Sequence, residues 1–364
     1  MPGLFDPYPL KNVKLRNRIA VSPMCQYMAR EGEANEWHRV HYSSFARGGA
    51  GLIIVEATAV SPEGRITWAD LGLWNDRQAA ALEPIVAEMV RFGAVPGIQI
   101  AHAGRKASAN LPWEGDDHIP EGEKNSWKTI APSAIPFGAS LSRVPEEMSL
   151  AEIERVQSDT VRSAERARDA GFQWMQLHFA HGYLAQNFFS PHSNHRNDQY
   201  GGSAENRARY LLETLKAVRK VWPEDRPLTV RLSVVEFDGN DATMMEESID
   251  LLRRMKAEGL DFVDVSVGFN TPTANIPWAP HFLADTARVI RHETGLPGTT
   301  SWYISQPKEA DALIREDVID IATLGRPLLA EPHWPYRAAK ELGIEDAAWS
   351  TLPPAYAHWL ARYR

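Results

Sequence analysis

His178 and His181 stand three residues apart in the stretch LHFAHGYLAQNFFSP, with Tyr183 two residues further on. Imidazole can ligate a metal, donate an N–H to an oxygen, or simply pack, so the neighbours decide which chemistry applies. Zinc asks for three or four ligands with outer support. HFAH lacks the HExxH arrangement, and His102 with scattered carboxylates could alone complete a set. A metal-dependent barrel hydrolase built on His178 and His181 is therefore the alternative, with no metal the leading expectation. Two N–H donors converging on one oxygen is the reading these residue types favour.

Further candidates lie at the ends of short apolar runs. The first run leads into Pro23, Met24, Cys25, Gln26 and Tyr27. The second carries Glu56 and ends at Ala57; the third carries Gln99 and ends at His102. Arg231 lies in the fifth run, Ser301 and Trp302 close the seventh, and Gly325 with Arg326 follows the eighth. Glycine lets backbone N–H groups approach an anion and arginine adds a bidentate charge, so Gly325–Arg326 suits a phosphate. A phosphate beside Gln99 and Arg231 points to a cofactor more than to a metal.

The elements that must position these groups are strands at 19–22, 52–57, 95–102, 174–179, 228–233, 262–267, 299–302 and 319–324. Their near-continuous apolar character is that of strands buried on both faces of a parallel sheet. Helical patterns separate them. One opens on Asp76 as N-cap and stops at Gly93; another runs from Ser149, with Glu152 completing a capping box, to Gly171. A third starts at Ser203, and a fourth ends at Gly259. The alternation predicts a single-domain (β/α)8 barrel over residues 1–364, whose catalytic groups gather at the C-terminal ends of the strands. A doubly wound sheet with a second domain is the rival. Residues 103–148, rich in Pro, Gly and charge, form a long excursion after the third strand, of a length that often covers a site. The glycines at 48, 49 and 51 precede a strand instead of following one, so a Rossmann dinucleotide site is not expected there.

The chain's 39 basic and 47 acidic residues give a net charge of -8, without a basic run to track nucleic acid or a membrane surface. Its single cysteine, Cys25, excludes an internal disulfide. No apolar stretch approaches the roughly 20 residues of a membrane helix, and the N-terminus lacks a signal-like apolar core. A cytoplasmic protein is expected.

Together, HFAHGYLAQNFFSPHSNHRNDQYGGSAENRARYLLE, Gln99 in GIQIAHAGRKAS, SPMCQYMA, LGRPLLAEPHWP and the C-terminal AYAHWLARYR resemble the Old Yellow Enzyme family. The likeness spans residues 4–364 and is strongest to the cysteine-containing, xenobiotic reductase branch. It implies an FMN-containing barrel of the NADPH dehydrogenase type that takes hydride from NADPH or NADH and passes it to an activated alkene. Pro23, Met24, Cys25, Ala57, Gln99 and Arg231 would line the flavin ring, with Gly325 and Arg326 at its phosphate. His178 and His181 would grip the substrate oxygen and Tyr183 would supply the proton. Tyr27, Trp302 and Trp359 would complete the substrate pocket, Trp302 also walling the cofactor. The resemblance further implies a homodimer or homotetramer whose tail, with Arg362 and Tyr363, reaches a neighbouring subunit. Two positions stand out. Phe179 between the histidines matches the xenobiotic reductase branch, where many relatives have glycine. Tyr303 replaces a common glycine facing the phosphate; a negative φ there would be harmless, a positive one strained.

Overall fold

The computed structural model describes residues 1–363, and its centre is a parallel barrel. The strands are β1 (Ile19–Val21), β2 (Leu52–Ala59), β3 (Val95–Ala101), β4 (Trp174–Phe179), β5 (Leu228–Val235), β6 (Phe262–Val267), β7 (Gly298–Thr300) and β8 (Ala322–Leu324). Every residue of β2, β4, β5 and β6 is buried, the reason these runs read as unbroken hydrophobic stretches. From β1 to β7 each strand pairs with the next, and β8 returns to β1 with Thr323 beside Ala20. Between β7 and β8, in place of a ladder, one backbone bond and a pair of hydroxyls bridge the gap. The Asp320 N–H donates to the Gly298 carbonyl at 2.8 Å, and the Thr299 and Thr323 hydroxyls lie 3.0 Å apart.

Helices α1 (Glu36–Gly48), α2 (Asp76–Arg91), α3 (Leu150–Asp169), α4 (Ala204–Arg219), α5 (Asp241–Ala257), α6 (Ala284–Thr294) and α7 (Pro307–Arg315) link successive strands. Ser149 and Glu152 form the expected capping box on α3, and Ser203 caps α4. The start of α2 is corrected by one residue. Asn75 caps it, accepting from the Gln78 N–H at 3.0 Å, and Asp76 is the first helical residue, where its charge still meets the helix N-terminus favourably. Strand β8 is also shorter than expected, because the Asp320 carboxylate turns to accept from the Gly298 N–H and Arg291. Strand β7 stops at Thr300, leaving Ser301 and Trp302 in the loop above it.

The excursion at 103–148 is irregular but tied down. The Arg143 guanidinium donates to the Ser108 hydroxyl at 2.7 Å and to the Trp127 carbonyl at 2.6 Å. At the N-terminal end of the barrel a hairpin, Tyr8–Leu10 with Val13–Leu15, packs on Trp174 and Phe262. After β8 the chain continues through α8 (Trp334–Glu341) to two short helices, Ala347–Thr351 and Pro354–Leu360. No helix among the described residues is long and apolar enough to cross a membrane.

Candidate active site

A cavity of about 590 Å³ opens at the C-terminal end of the barrel. Pro23, Met24, His181, Arg231, Trp302 and Arg326 line it, with Gly325 at its floor. Strand ends from opposite sides of the barrel thus meet in one place, as the sequence implied.

His178 is in β4, beside Arg231 of β5 in register. Beyond it the chain turns sharply: His181 and Gly182 are both left-handed, with φ of 62° and 67°. That turn swings His181 back over His178, their rings 5.0 Å apart and nearly perpendicular. Tyr183 packs edge-on against His178, also at 5.0 Å. Left-handed backbone is costly for a side-chain-bearing residue and must be imposed by partners. The His181 N–H donates to the Ser233 hydroxyl at 3.1 Å, and its ring Nε2 lies 2.7 Å from the Ser266 hydroxyl. Ser233 and Ser266 are register partners at the ends of β5 and β6. The Trp302 indole N–H also donates to Ser266, at 3.0 Å, which fixes the ring expected as a pocket wall.

Burial, then the nearby Arg231 charge, holds both imidazoles well below the usual histidine range, so they are neutral at pH 7. Burial also pushes the Tyr183 phenol above its usual range, so it keeps its proton. No group of three or more His, Cys, Asp or Glu among the described residues is placed to hold a metal ion. The hydrolase alternative has no ligand set, and Ser266 occupies one nitrogen that it would need.

Other expected residues fall around this centre. Gln99 and Gln176 are register partners joined by a 2.7 Å amide hydrogen bond. The Arg231 Nε lies 3.3 Å from the Asp264 carboxylate and has no hydrogen-bond partner; both Asp264 oxygens also lack one. Arg231 donates in addition to the Ser301 hydroxyl. Burial and then the Cys25 and Tyr183 charges push the Tyr27 phenol up, and its ring packs edge-on against Trp113 at 6.1 Å. Burial pushes the Cys25 thiol up too, leaving it protonated. Ala57 and Tyr183 face a common small void. A Cβ built on Gly325 would meet the Met24 sulfur at 3.3 Å, so the glycine sits close under that side chain.

Two expectations resolve differently. Tyr303 adopts φ of 57°, the strained outcome, keeping the backbone a glycine would have while its ring packs against Trp278 and Phe282 at the edge of the cavity it helps line. Trp359 is 74% exposed on the C-terminal helix and is not part of its own chain's cavity.

Several site residues escaped sequence reading. Ser233 and Ser266 anchor His181, yet serine in a buried strand gives no signal. Phe269, Trp278 and Phe282 form an aromatic bank with Trp302 above β6 and β7, with ring separations of 5.4 to 6.3 Å. Glu56, 1% exposed, accepts from the Gln26 N–H at 2.7 Å and the Tyr42 hydroxyl at 2.8 Å, and so steadies the loop bearing Cys25. Glu56 stands out in the sequence as a carboxylate inside a hydrophobic strand; its part in holding this loop does not.

The model of the NADH:flavin oxidoreductase / NADH oxidase family matches residues 3–345. The chain belongs to that family. An NADPH dehydrogenase of Geobacillus thermodenitrificans is 43% identical over 347 residues, covering 95% of this chain and 96% of the relative. One from Listeria innocua is 40% identical over 345 residues, covering 94% and 96%. Among solved structures, the Old Yellow Enzyme homologue from Zymomonas mobilis superposes with a TM-score of 0.78 at 27% identity, covering 98% of this chain and 99% of that one. Morphinone reductase gives 0.77 at 26%, covering 94% and 90%.

An Old Yellow Enzyme family oxidoreductase uses FMN, with NAD(P)H as hydride donor. The cavity fits that group. The guanidinium of Arg231 and the Ser301 hydroxyl line the cavity and offer donors to a polar ring edge, and Arg326 beside Gly325 offers charge and close approach to a phosphate. Asp264, 3.3 Å from the Arg231 Nε, and the Ser301 hydroxyl hold that guanidinium in the cavity wall.

Proposed function

We propose that this protein is an FMN-dependent ene-reductase, oxidising NADPH or NADH and saturating activated C=C bonds of α,β-unsaturated carbonyl or nitro compounds in a ping-pong cycle. One observation carries the reading. Two neutral imidazoles and a protonated phenol are packed ring to ring, and one of them, His181, lines the cavity. When bound, FMN supplies the hydride chemistry between nicotinamide and acceptor.

The residues' part is geometric and electrostatic. His178 and His181 each hold one N–H, and both donate to the acceptor's carbonyl or nitro oxygen. For His181 this follows when the Ser266 hydroxyl donates to Nε2, which leaves the proton on Nδ1. Charge gathers on that oxygen as the alkene is reduced, and preorganised donors in a dry site stabilise it by a few kcal/mol each. Neutrality matters here. A donor that must first be protonated would tie the rate to acidic pH, whereas these rings are donors throughout the neutral range. Tyr183 then delivers its proton to the acceptor's α-carbon. A phenol held above its usual pKa range is a weak acid, adequate for a strongly basic carbon once positioned. Tyr27 helps seat the acceptor, and Trp302 walls the pocket.

Phe179 and the C-terminal AYAHWLARYR segment support the xenobiotic reductase branch. Trp359 and Tyr363, 74% and 67% exposed, support a homo-oligomer in which the tail of one subunit covers the site of the next. The chain then acts as a single FMN-binding domain with a donated tail.

The purified protein is expected to be yellow. Under nitrogen NADPH should bleach it and 2-cyclohexenone should restore the colour. Protein that stays colourless after incubation with FMN, or that bleaches and ignores every enone and nitroalkene tried, would refute the proposal.

A further inference from the structure

Lys106 takes no part in the site described above, yet its ammonium lies inside it. The residue follows β3 directly, in the tight turn Gly104–Lys106. Its Nζ donates to the carbonyl of His181 at 2.8 Å and to that of Phe269 at 2.6 Å. Those two carbonyls come from different loops, after β4 and after β6. Both residues that bear them are left-handed, with φ of 62° and 63°. Neither is glycine, so each conformation costs about 1 kcal/mol that some partner must offset. One ammonium is bonded to both.

The two loops could not meet without a further concession. Gly182 also has positive φ, and a Cβ there would lie 2.2 Å from the Phe269 carbonyl oxygen and 3.0 Å from Lys106 Nζ. The point where three loops converge is therefore filled by a glycine, a backbone oxygen and the lysine. On the far side, the Gly182 N–H donates to Gln186 at 2.6 Å, and Gln186 donates to Glu236 at 2.7 Å. Asn270, next to Phe269, donates to the same carboxylate at 3.2 Å. The turn is thus held from both sides. Lys106 Nζ also sits 4.1 Å above the Phe137 ring and 5.7 Å from that of Tyr183, within reach of a cation–π attraction.

We infer that Lys106 is a positioning residue, clamping the His181–Gly182–Tyr183 turn to the Phe269 loop so that imidazole and phenol face the same point. The inference rests on the roles proposed above for His181 and Tyr183. Holding a lysine here is costly: burial, then the Arg105 charge, lowers its pKa to about 7, with Glu236 and Asp116 pulling the other way. A group kept at such expense, with two strained carbonyls as its partners, is positioned for what it holds.

The test uses the FMN-loaded protein and two variants, Lys106→Met, which keeps the stem and loses the donors, and Lys106→Arg, which keeps the charge. Amide hydrogen exchange over 180–184 and 267–271 reads the clamp directly. In Lys106→Met, exchange in these two segments should rise about tenfold with the barrel strands unchanged, and the KM for 2-cyclohexenone should rise by roughly the same factor. Lys106→Arg should recover part of both. Unchanged exchange in the two segments overturns the inference. So does acceleration spread evenly over the strands, which would make the lysine a support of the whole fold. If Lys106→Met does not accumulate as folded protein, the arginine variant decides by the same criterion, an intermediate rise confined to the two segments against none. If the wild-type protein fails to reduce any enone, the proposed function fails while the exchange measurement still rules on the clamp.

Discussion

The two ends of the barrel are built from the same strands and obey different rules. At the N-terminal end, Trp174, Phe262, Leu52 and Val95 meet the hairpin residues Tyr8, Val13 and Leu15 in a closed apolar plug. Aromatic rings pack edge to face there, Trp174 with Phe262 at 5.4 Å and Tyr8 with Phe262 at 6.4 Å. At the C-terminal end, Tyr27, His181, Phe269 and Tyr303 are all left-handed, and Arg231, Asp264 and His178 carry buried polar atoms without partners. The plug has its own exceptions, an unpartnered Trp174 indole N–H and a left-handed Lys11 in the hairpin turn, but its contacts are otherwise apolar. The other end gathers strain and unmet hydrogen bonds around a cavity, the signature of a surface shaped for something other than itself.

That contrast can be broken by substitution. Trp174→Ala should cost about 3–5 kcal/mol of stability by opening a void in the plug, while kcat per folded molecule stays within about twofold. Denaturant unfolding with activity titration would show it, and a selective loss of turnover would dissolve the division between the ends. Tyr183→Phe should do the reverse: stability nearly unchanged, NADPH bleaching retained, and enone reduction slowed by about 10²-fold. Equal loss in both half-reactions, followed by stopped-flow absorbance, would remove the proton-donor role.

Glu56 tests the boundary, since it lies in the barrel wall and steadies the Cys25 loop. Burial raises its carboxyl from the ordinary 4.5 to about 8. Between those values the unfolded chain releases a proton that the folded chain keeps, so this group erodes stability as pH rises from 4.5 to 8. Glu56→Gln has no such loss. Its melting temperature relative to wild type should therefore improve steadily from pH 5 to pH 8, and a flat difference would mean that Glu56 is ionised when folded. The smallest effect is expected for Tyr303→Gly. Relief of about 1 kcal/mol of backbone strain is offset by lost contacts with Trp278 and Phe282 worth about as much. Stability and FMN affinity should both shift by less than about threefold in equilibrium constant, by melting and by fluorescence titration. A large loss of FMN would give the Tyr303 ring a direct role.

The two ends were also unequally legible. Unbroken apolar runs gave the strands, because burial on both faces leaves no polar position to blur the pattern. Ser149, Glu152 and Ser203 announced their helices by local capping chemistry. Along the mouth, His178, His181, Tyr183, Arg231 and Gly325 were readable, because histidine, arginine and glycine are unusual residues at a strand end. Ser233, Ser266 and Lys106 were not. Their importance lies in which backbone atom they reach, a property of φ angles and of loops brought together from distant parts of the chain. The left-handed turn at His181 has no residue-type signature, and neither does the aromatic bank at Phe269, Trp278 and Phe282. The hairpin under the barrel was missed because three-residue strands fall below the length at which alternation shows.

The central claim is that the paired imidazoles hold the acceptor's oxygen. It is tested most directly by reoxidising the reduced FMN-loaded protein with two acceptors, in wild type and in the His178→Ala, His181→Ala double variant. Dithionite serves as the reductant, so that nicotinamide binding does not intervene. 2-Cyclohexenone needs its carbonyl gripped, whereas dioxygen does not. The enone rate should fall by roughly 10²–10³-fold while the dioxygen rate changes by less than about threefold. An enone rate that survives the loss of both rings would contradict the account.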